Sequence, residues 1–227
     1  MTAMFRRLPA WLALAAVMSL GAQAFATTKE QTLVDKARLA VDALRDDSKF
    51  SAFPRLLAEA KAVLIMPELI KIGFIFGGEG GSGVLLVRDT ETGHWSQPAF
   101  YTMGAGSFGL QIGAQVAEVA FVIMTEGGLE KLMSDKVTLG ADASIAAGPV
   151  GAGVEAGMTF NIDVDIYSFA HTKGLFGGIS FEGAVVVPDD EANETYYGKS
   201  ITARGIVLHG EVRNPDADAL RAALGKK

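Results

Sequence analysis

Apolar and polar residues alternate with a period of two in several separate stretches of this chain. In the longest, Ser107–Val116, every second residue is apolar and its neighbours are polar or glycine. The same alternation runs through Lys136–Ile145 and Thr159–Ile166, and Ile179–Val187 is a further β-like stretch. A period of two places successive side chains on opposite faces of a strand. We therefore predict a sheet built from these segments.

Two stretches near the ends of the chain have helical spacing instead. Lys29–Arg45 repeats apolar residues every three or four positions, with charged residues on its other faces. Towards the C-terminus, Asn214 suits a helix N-cap, Pro215 suits the first helical position, and Gly225 suits the end. Strands grouped between helices favour an α+β fold over repeated βαβ units. The prediction is one domain, residues 27–227, with a curved antiparallel β-sheet or barrel and an N-terminal amphipathic helix and a C-terminal helix packed against it.

Glycine clusters separate the apolar runs between Gly73 and Gly157. One cluster, Gly104–Gly109, has the G-x-G-x-x-G spacing of a dinucleotide-binding loop. That mechanism requires a helix after the third glycine, because the helix N-terminus receives the pyrophosphate. The residues that follow have the period of a strand. We therefore interpret the glycines as positions where strands bend or where two backbones approach closely.

No combination of motifs in the sequence indicates catalysis. Gly198–Ser200 resembles the end of a phosphate-binding loop, but Asn193 stands where that loop needs its first glycine. Asp163 and Asp165 share one face of a predicted strand, which we interpret as a solvated surface in preference to a weak cation site. The three histidines show no metal-ligand spacing; they are His94, His171 and His209. We predict a protein without enzymatic activity, cofactor or metal.

The net charge limits the partners that the whole surface can attract. The 227 residues carry a formal net charge of -6 and contain no cysteine. An acidic protein does not coat nucleic acid or an anionic membrane through its overall field. Binding to an anionic lipid must therefore come from a local patch. The absence of cysteine also excludes a disulfide framework, a zinc–thiolate site and a thiol nucleophile.

The first 26 residues have the pattern of a cleaved secretory signal. Two arginines, Arg6 and Arg7, precede the apolar run Leu8–Leu20, which is short for a membrane span. Small residues suitable for cleavage follow, and the cut is predicted after Ala24 or Ala26. A signal peptide of residues 1–26 implies a periplasmic or secreted protein.

With these residues in place, the chain resembles the SYLF domain family. The matching motifs occur in order from about residue 30 to residue 210. They are Ala60–Pro67, Gly73–Arg88, Trp95–Pro98, Gly104–Gln115, Leu139–Gly151, Tyr167–Ser168, Lys173–Gly183 and Tyr196–Gly198. The resemblance implies lipid binding, chiefly to phosphoinositides in the eukaryotic members, and actin binding in the yeast branch.

Three features set the chain apart from the eukaryotic members that it resembles. It carries an apparent export signal, shows no SH3 or FYVE module, and its helix Lys29–Arg45 has almost no net positive charge, with four basic residues beside three acidic ones. We therefore identify it as an exported bacterial-type member, and expect it to bind anionic phospholipid of an envelope membrane. The alternative is an envelope structural or stress-related protein that binds another protein. No nucleic-acid partner is expected, and the oligomeric state is left open.

The predicted lipid site has two parts, each combining basic and apolar side chains. The first lies on the helix Lys29–Arg45, whose apolar residues could enter a membrane interface beside its basic ones. The second lies in a glycine-rich turn that follows a predicted strand. The helix residues are Lys36, Arg38, Arg45, Leu33, Val41 and Leu44, and the turn residues are Lys173, Leu175 and Phe176.

Overall fold

The computed structural model describes residues 27–73, 76–108, 113–149, 164–173 and 181–226. Within these ranges, eight strands form one curled, half-barrel sheet in a single domain. The predicted α+β class, with helices near both ends of the chain, is confirmed. The predicted signal peptide, residues 1–26, and residues 159–163 of the predicted strand Thr159–Ile166 lie outside the described residues.

The sheet is antiparallel at every strand pair except one. In the order in which they neighbour one another, the strands are β5, β8, β3, β2, β1, β4, β7 and β6. Only β6 and β7 run parallel. The strand bounds are β1 Ala62–Gly73, β2 Phe76–Val87, β3 Ala99–Phe108, β4 Gly113–Ile123, β5 Val137–Thr138, β6 Ile145–Ala147, β7 Ile166–Lys173 and β8 Val185–Pro188.

Six α-helices of the described residues pack around this sheet. Their bounds are α1 Lys29–Asp46, α2 Phe53–Glu59, α3 Glu126–Leu132, α4 Asp190–Tyr197, α5 Ala203–Val207 and α6 Asp218–Leu224. Helix α1 begins where the Thr28 side chain accepts a hydrogen bond from the backbone N–H of Gln31, at 3.1 Å. This cap satisfies one of the amides that a helix start leaves unpaired.

Both faces of the central strands are buried, because helices lie on each side of the sheet. In β1, Val63 and Ile65 join a core with α1, α2 and α6. The alternate residue Leu64 joins a second core with α3 and α5. Each fully buried Val, Leu or Ile contributes about 1.5–3 kcal/mol of transfer free energy. Burial on both faces explains why the first half of β1 reads as an unbroken apolar run.

A bulge in the middle of β1 requires glycine in the neighbouring strand β2. The pairing register of β1 with β2 shifts between Ile65 and Ile70, around Pro67. A Cβ atom at Gly83 would lie 2.3 Å from the carbonyl oxygen of Ile65, and one at Gly81 would lie 2.6 Å from the carbonyl oxygen of Glu68. Only glycine lets the two backbones approach so closely.

Four predicted elements differ in the structure, and one of them, Ile179–Val187, is a strand only from Val185 onwards within its described part. The period-two stretch Ser107–Val116 is not one strand: it contains the end of β3 and the start of β4, which do not pair with each other. The alternation in the sequence is unbroken from the end of β3 to the start of β4, so it does not show where one strand ends and the next begins. Lys136–Ile145 is also divided, because Gly140 adopts a φ of 82° and turns the chain between β5 and β6. The C-terminal helix starts later than predicted, after a 3-10 turn over Pro215–Ala217.

Candidate functional site

The apolar stripe of α1 is used mainly by the core. Val41 and Leu44 are completely buried against the sheet. Leu33 is half-buried and packs on the same core. Of these three predicted lipid-binding residues, only Leu33 therefore presents surface to solvent in this conformation.

Each basic residue predicted on α1 forms an ion pair or a hydrogen bond with another residue of the chain. The Lys36 ammonium lies 2.7 Å from the carboxylate of Glu68. Arg38 pairs with Asp42, one turn along the same helix, at 3.0 Å. Arg45 donates a hydrogen bond of 3.0 Å to the carbonyl oxygen of Leu224, at the end of α6. Burial lowers the pKa of Arg45, and its Nε is enclosed without a partner among the described residues.

The second predicted site can be located only by its backbone. Lys173 is the last residue of β7 and stands in register with Val116 of β4. The other two members of that site, Leu175 and Phe176, lie outside the described residues. Their role stays a prediction.

Four exposed apolar side chains gather on one surface, which we call the apolar face. It consists of Leu39, Ile70, Ile72 and Val116, which are 55%, 48%, 60% and 41% exposed. Ile70 and Val116 are registered partners on β1 and β4, and Leu39 of α1 lines a small cavity with Val116. In the described part of the chain only one other large apolar side chain is exposed, Leu208.

The strands beside Ile70 and Ile72 carry glycines at the facing positions. Ile70 faces Gly80 and Ile72 faces Gly78 on β2, and these face Gly104 and Gly106 on β3. The apolar face therefore continues into a strip of bare backbone. A Cβ atom would meet nothing within 4 Å at Gly106 and nothing nearer than 3.8 Å at Gly78. Contacts within the described protein do not require glycine at these two positions.

Parts of the two predicted sites border the apolar face. A cavity of about 360 Å³ lies between α1 and the sheet, and Lys29, Leu33, Lys36 and Ile70 are among its lining residues. Lys173 is the registered neighbour of Val116, on the side of the apolar face away from that cavity. None of the four residues of the face itself is among the predicted lipid-binding residues. The missed signal is an inverted alternation, in which the apolar Ile70 and Ile72 face out while the charged Lys71 between them is largely buried, its side chain only 16% exposed.

A second surface, the basic groove, lies at the other end of the strands. It has a volume of about 1220 Å³ and is lined by many more cations than acids. The acids are Glu91 and Asp218. The cationic side chains are Arg45, Arg55, Arg88, Arg213, Arg221 and Lys226.

Some cations of the basic groove are fixed by neighbours, and at least one is not. Arg213 and Arg221 both contact Asp218, at 2.9 and 2.6 Å, and Lys226 contacts Asp42 at 2.8 Å. No described residue forms a hydrogen bond or ion pair with the Arg88 guanidinium. The groove therefore carries an excess of positive charge on a protein whose net charge is negative.

The described histidines lie in two separate places. His94 and His209 line one cleft with Asp89, and His171 lies elsewhere, 3.2 Å from Glu118. Asp89 accepts hydrogen bonds from the backbone of its own turn, which lower its pKa. The described residues contain no cluster of three or more His, Asp or Glu suited to a metal ion.

The chain matches the family model Ysc84, described as "Las17-binding protein actin regulator", over residues 104–227. It is 36% identical over 178 residues to an SH3 domain-containing protein of Schizosaccharomyces pombe, covering 77% of this chain and 41% of that protein. It is 32% identical over 167 residues to LAS seventeen-binding protein 3 of Saccharomyces cerevisiae, covering 72% and 36%. It is 29% identical over 163 residues to SH3 domain-containing YSC84-like protein 1 of Xenopus laevis, covering 71% and 48%. The chain thus spans less than half the length of these relatives.

These relatives correct the predicted periplasmic or secreted location. They come from yeasts and vertebrates, and the matching family is described as actin regulators, which contradicts a periplasmic or secreted protein. They likewise give no support to an exported bacterial-type member. The location had been inferred from the run Leu8–Leu20, and a short apolar run behind two arginines does not by itself fix a compartment. Among the described helices, none combines the length and apolarity needed to cross a bilayer.

Proposed function

The chain belongs to the Ysc84 family, also known as the SYLF domain family, and we propose that it is a non-catalytic domain that binds anionic phospholipid membranes through its apolar face. One observation carries the proposal. Four of the five large apolar side chains exposed in the described residues lie together on this face. Contiguous exposed apolar surface marks sites of protein or membrane contact.

Basic residues beside the face could contact anionic headgroups, although acids lie among them. Lys29 and Lys36 line the cavity that Ile70 shares with α1, together with three acidic residues, and Lys173 follows the face across the sheet in register with Val116. Each basic residue near an anionic membrane contributes about 1 kcal/mol. Burial of apolar side chains adds roughly 25 cal/mol for each Å² removed from water.

The net charge of -6 opposes this attraction. Binding is therefore expected to be weak, to require anionic lipid, and to decrease as salt screens the lysines. Leu175 and Phe176 stay predicted members of the lipid site and lie outside the described residues. Arg45 belongs instead to the basic groove.

A second candidate function is binding to another protein. The family description supports it, since it names Las17 binding and actin regulation. The relatives whose names refer to Las17 or SH3 domains are more than twice as long as the matched segment. An adaptor role for this chain, with a protein partner of the actin machinery, is proposed on that likeness alone.

Vesicle flotation with matched variants tests the membrane proposal. Ile70→Ser/Ile72→Ser removes two side chains from the apolar face, and Leu208→Ser removes an exposed apolar residue elsewhere. We expect wild type and Leu208→Ser to float with phosphatidylserine vesicles, and the double variant to remain at the bottom. None should float with phosphatidylcholine alone. Equal flotation of the double variant and wild type would remove the apolar face from the proposal, and no flotation of wild type would end it.

A further inference from the structure

We propose that the basic groove binds an acidic peptide segment of a soluble protein partner. Six cationic side chains line the groove beside only two acids, although the whole chain is acidic. Charge of one sign concentrated in a cleft attracts ligands of the opposite sign and raises their association rate.

One arginine of the groove has a guanidinium without a partner among the described residues. The guanidinium of Arg88 lies over the turn at Gly93, 3.5 Å from the position that a Cβ atom there would occupy, and no described residue pairs with it. Arg45 also lines the groove, but it already donates to the carbonyl of Leu224 and its Nε is enclosed. Guanidinium groups bind carboxylates through parallel hydrogen bonds, so Arg88 is suited to acidic side chains.

The shape of the groove favours a peptide over a compact phosphate group. Small-molecule sites usually enclose about 300–1,000 Å³, and the groove is larger, at about 1220 Å³. Its cations are spread over α1, α2, the end of β2 and the C-terminal segment, and three of them pair with two separate acids, Asp42 and Asp218. Apolar groups lie among them, including Pro54, Leu57 and Ala222. A chain with carboxylates and apolar side chains matches this lining.

The position of the groove separates its ligand from the membrane. The backbone N–H of Arg88 bonds to the carbonyl of Lys61, just before β1 begins, whereas Ile72 lies near the far end of that strand. At about 3.3 Å per residue, the path along the strand from Lys61 to Ile72 is about 35 Å. This step rests on the proposed function: when the apolar face lies on a membrane, the groove lies well away from the headgroups and is open to soluble partners.

Fluorescence anisotropy with the full chain tests the proposal. The probe is a fluorescein-labelled peptide of about twelve residues, half of them glutamate with leucines between, and the control peptide has glutamine in place of glutamate. Arg88→Glu/Arg213→Glu reverses two groove charges and leaves Arg221 to pair with Asp218. Lys136→Glu/Arg204→Glu makes the same change in net charge away from the groove. We expect the groove variant to bind about tenfold more weakly and the control variant to stay near wild type.

Two results would overturn the proposal directly. The first is that wild type and the groove variant bind the glutamate peptide equally well. The second is that wild type binds the glutamine peptide as tightly as the glutamate peptide. Displacement of the peptide by inositol hexakisphosphate, or by vesicles with phosphorylated headgroups, at far lower concentrations than peptide itself requires would assign the groove to phosphate. Ile70→Ser/Ile72→Ser should keep full peptide binding, so a failure of the membrane proposal is distinguished from a failure here.

Discussion

The carboxylate of Glu79 and the ammonium of Lys71 lie 3.7 Å apart at facing positions of β2 and β1, with side chains only 4% and 16% exposed. On β4, the registered partner of Lys71 is Gln115, which is buried with both of its polar side-chain atoms unpaired among the described residues. A polar row thus points inward at the end of the sheet where Ile70 and Ile72 point outward. Such an inversion of the usual pattern, with polar residues inside and apolar residues outside, is typical of a functional site.

Glu79→Gln should change how stability depends on pH. Burial raises the pKa of Glu79, and Lys71 offsets that effect only in part. The native state therefore binds the proton of Glu79 more tightly than the unfolded chain does. The contribution of Glu79 to stability increases as the pH falls, and it decreases as the pH rises through the raised pKa. Between neutral pH and the ordinary value of 4.5, wild type should gain free energy of unfolding relative to Glu79→Gln. Urea unfolding at both pH values measures this, and parallel pH dependences would contradict it.

Asp165 should stabilise the protein in the opposite pH direction. Burial opposes its ionisation, but hydrogen bonds from the Thr125 hydroxyl and from the backbone and hydroxyl of Ser144 lower its pKa overall. Its contribution is present above the ordinary value of 3.8 and is lost as the pH falls through the lowered pKa. Asp165→Asn should cost about 1.5–3 kcal/mol at neutral pH, as expected for charge-assisted hydrogen bonds. The loss should shrink in acid, and a constant loss across pH would argue against ionisation as its cause.

Two glycines of the sheet should respond to alanine in opposite ways. At Gly106 a Cβ atom meets nothing within 4 Å, so Gly106→Ala should stabilise by about 0.4–1 kcal/mol by restricting the unfolded chain. At Gly83 the same atom would lie 2.3 Å from the backbone of Ile65, so Gly83→Ala should destabilise by about 1–3 kcal/mol or more. Thermal and urea unfolding of the two variants test the pair. Similar effects at both sites would show that the bulge in β1 adapts easily.

Local pattern was sufficient for the fold class but not for the strand boundaries. Period-two alternation identifies strands because it depends only on the two faces of a sheet. It did not separate β3 from β4 within Ser107–Val116, since the connection preserves the alternation. It also could not reveal Asn193, which is fully buried in α4 and accepts a hydrogen bond of 2.8 Å from the backbone of Phe100. That contact joins residues 93 positions apart and leaves no local signal.

The candidate surfaces were harder to predict than the fold because each combines distant segments. The helical spacing of Val41 and Leu44 correctly indicated an amphipathic helix, but spacing alone does not distinguish a face covered by the sheet from one open to a membrane. The apolar face needs β1, β4 and α1 brought together, and the basic groove unites α1, α2 and the C-terminal segment. Only Arg45 was both predicted as a site residue and found in the groove.

The three basic residues predicted on α1 should fall into two groups in unfolding experiments when each is changed to Ser. The ion pairs of Lys36 and Arg38 keep substantial contact with solvent, so each change should alter the free energy of unfolding by less than about 1 kcal/mol. Arg45→Ser should cost about 1.5–3 kcal/mol, because it removes a charged donor from the carbonyl of Leu224 at the end of α6.

Vesicle flotation should separate Lys36 from Arg38, which have similar exposure and charge. Lys36 lines the cavity beside Ile70, so Lys36→Ser should weaken binding to phosphatidylserine vesicles by about 1 kcal/mol, or roughly fivefold. Both residues pair with a carboxylate, but Arg38 does not line that cavity, so Arg38→Ser is the matched control and should float like wild type. Raising the salt concentration should reduce the difference between the two variants, because it screens the charge of Lys36. If both variants float equally well at low salt, the charges of α1 play no part in membrane binding and the contact depends on the apolar side chains alone.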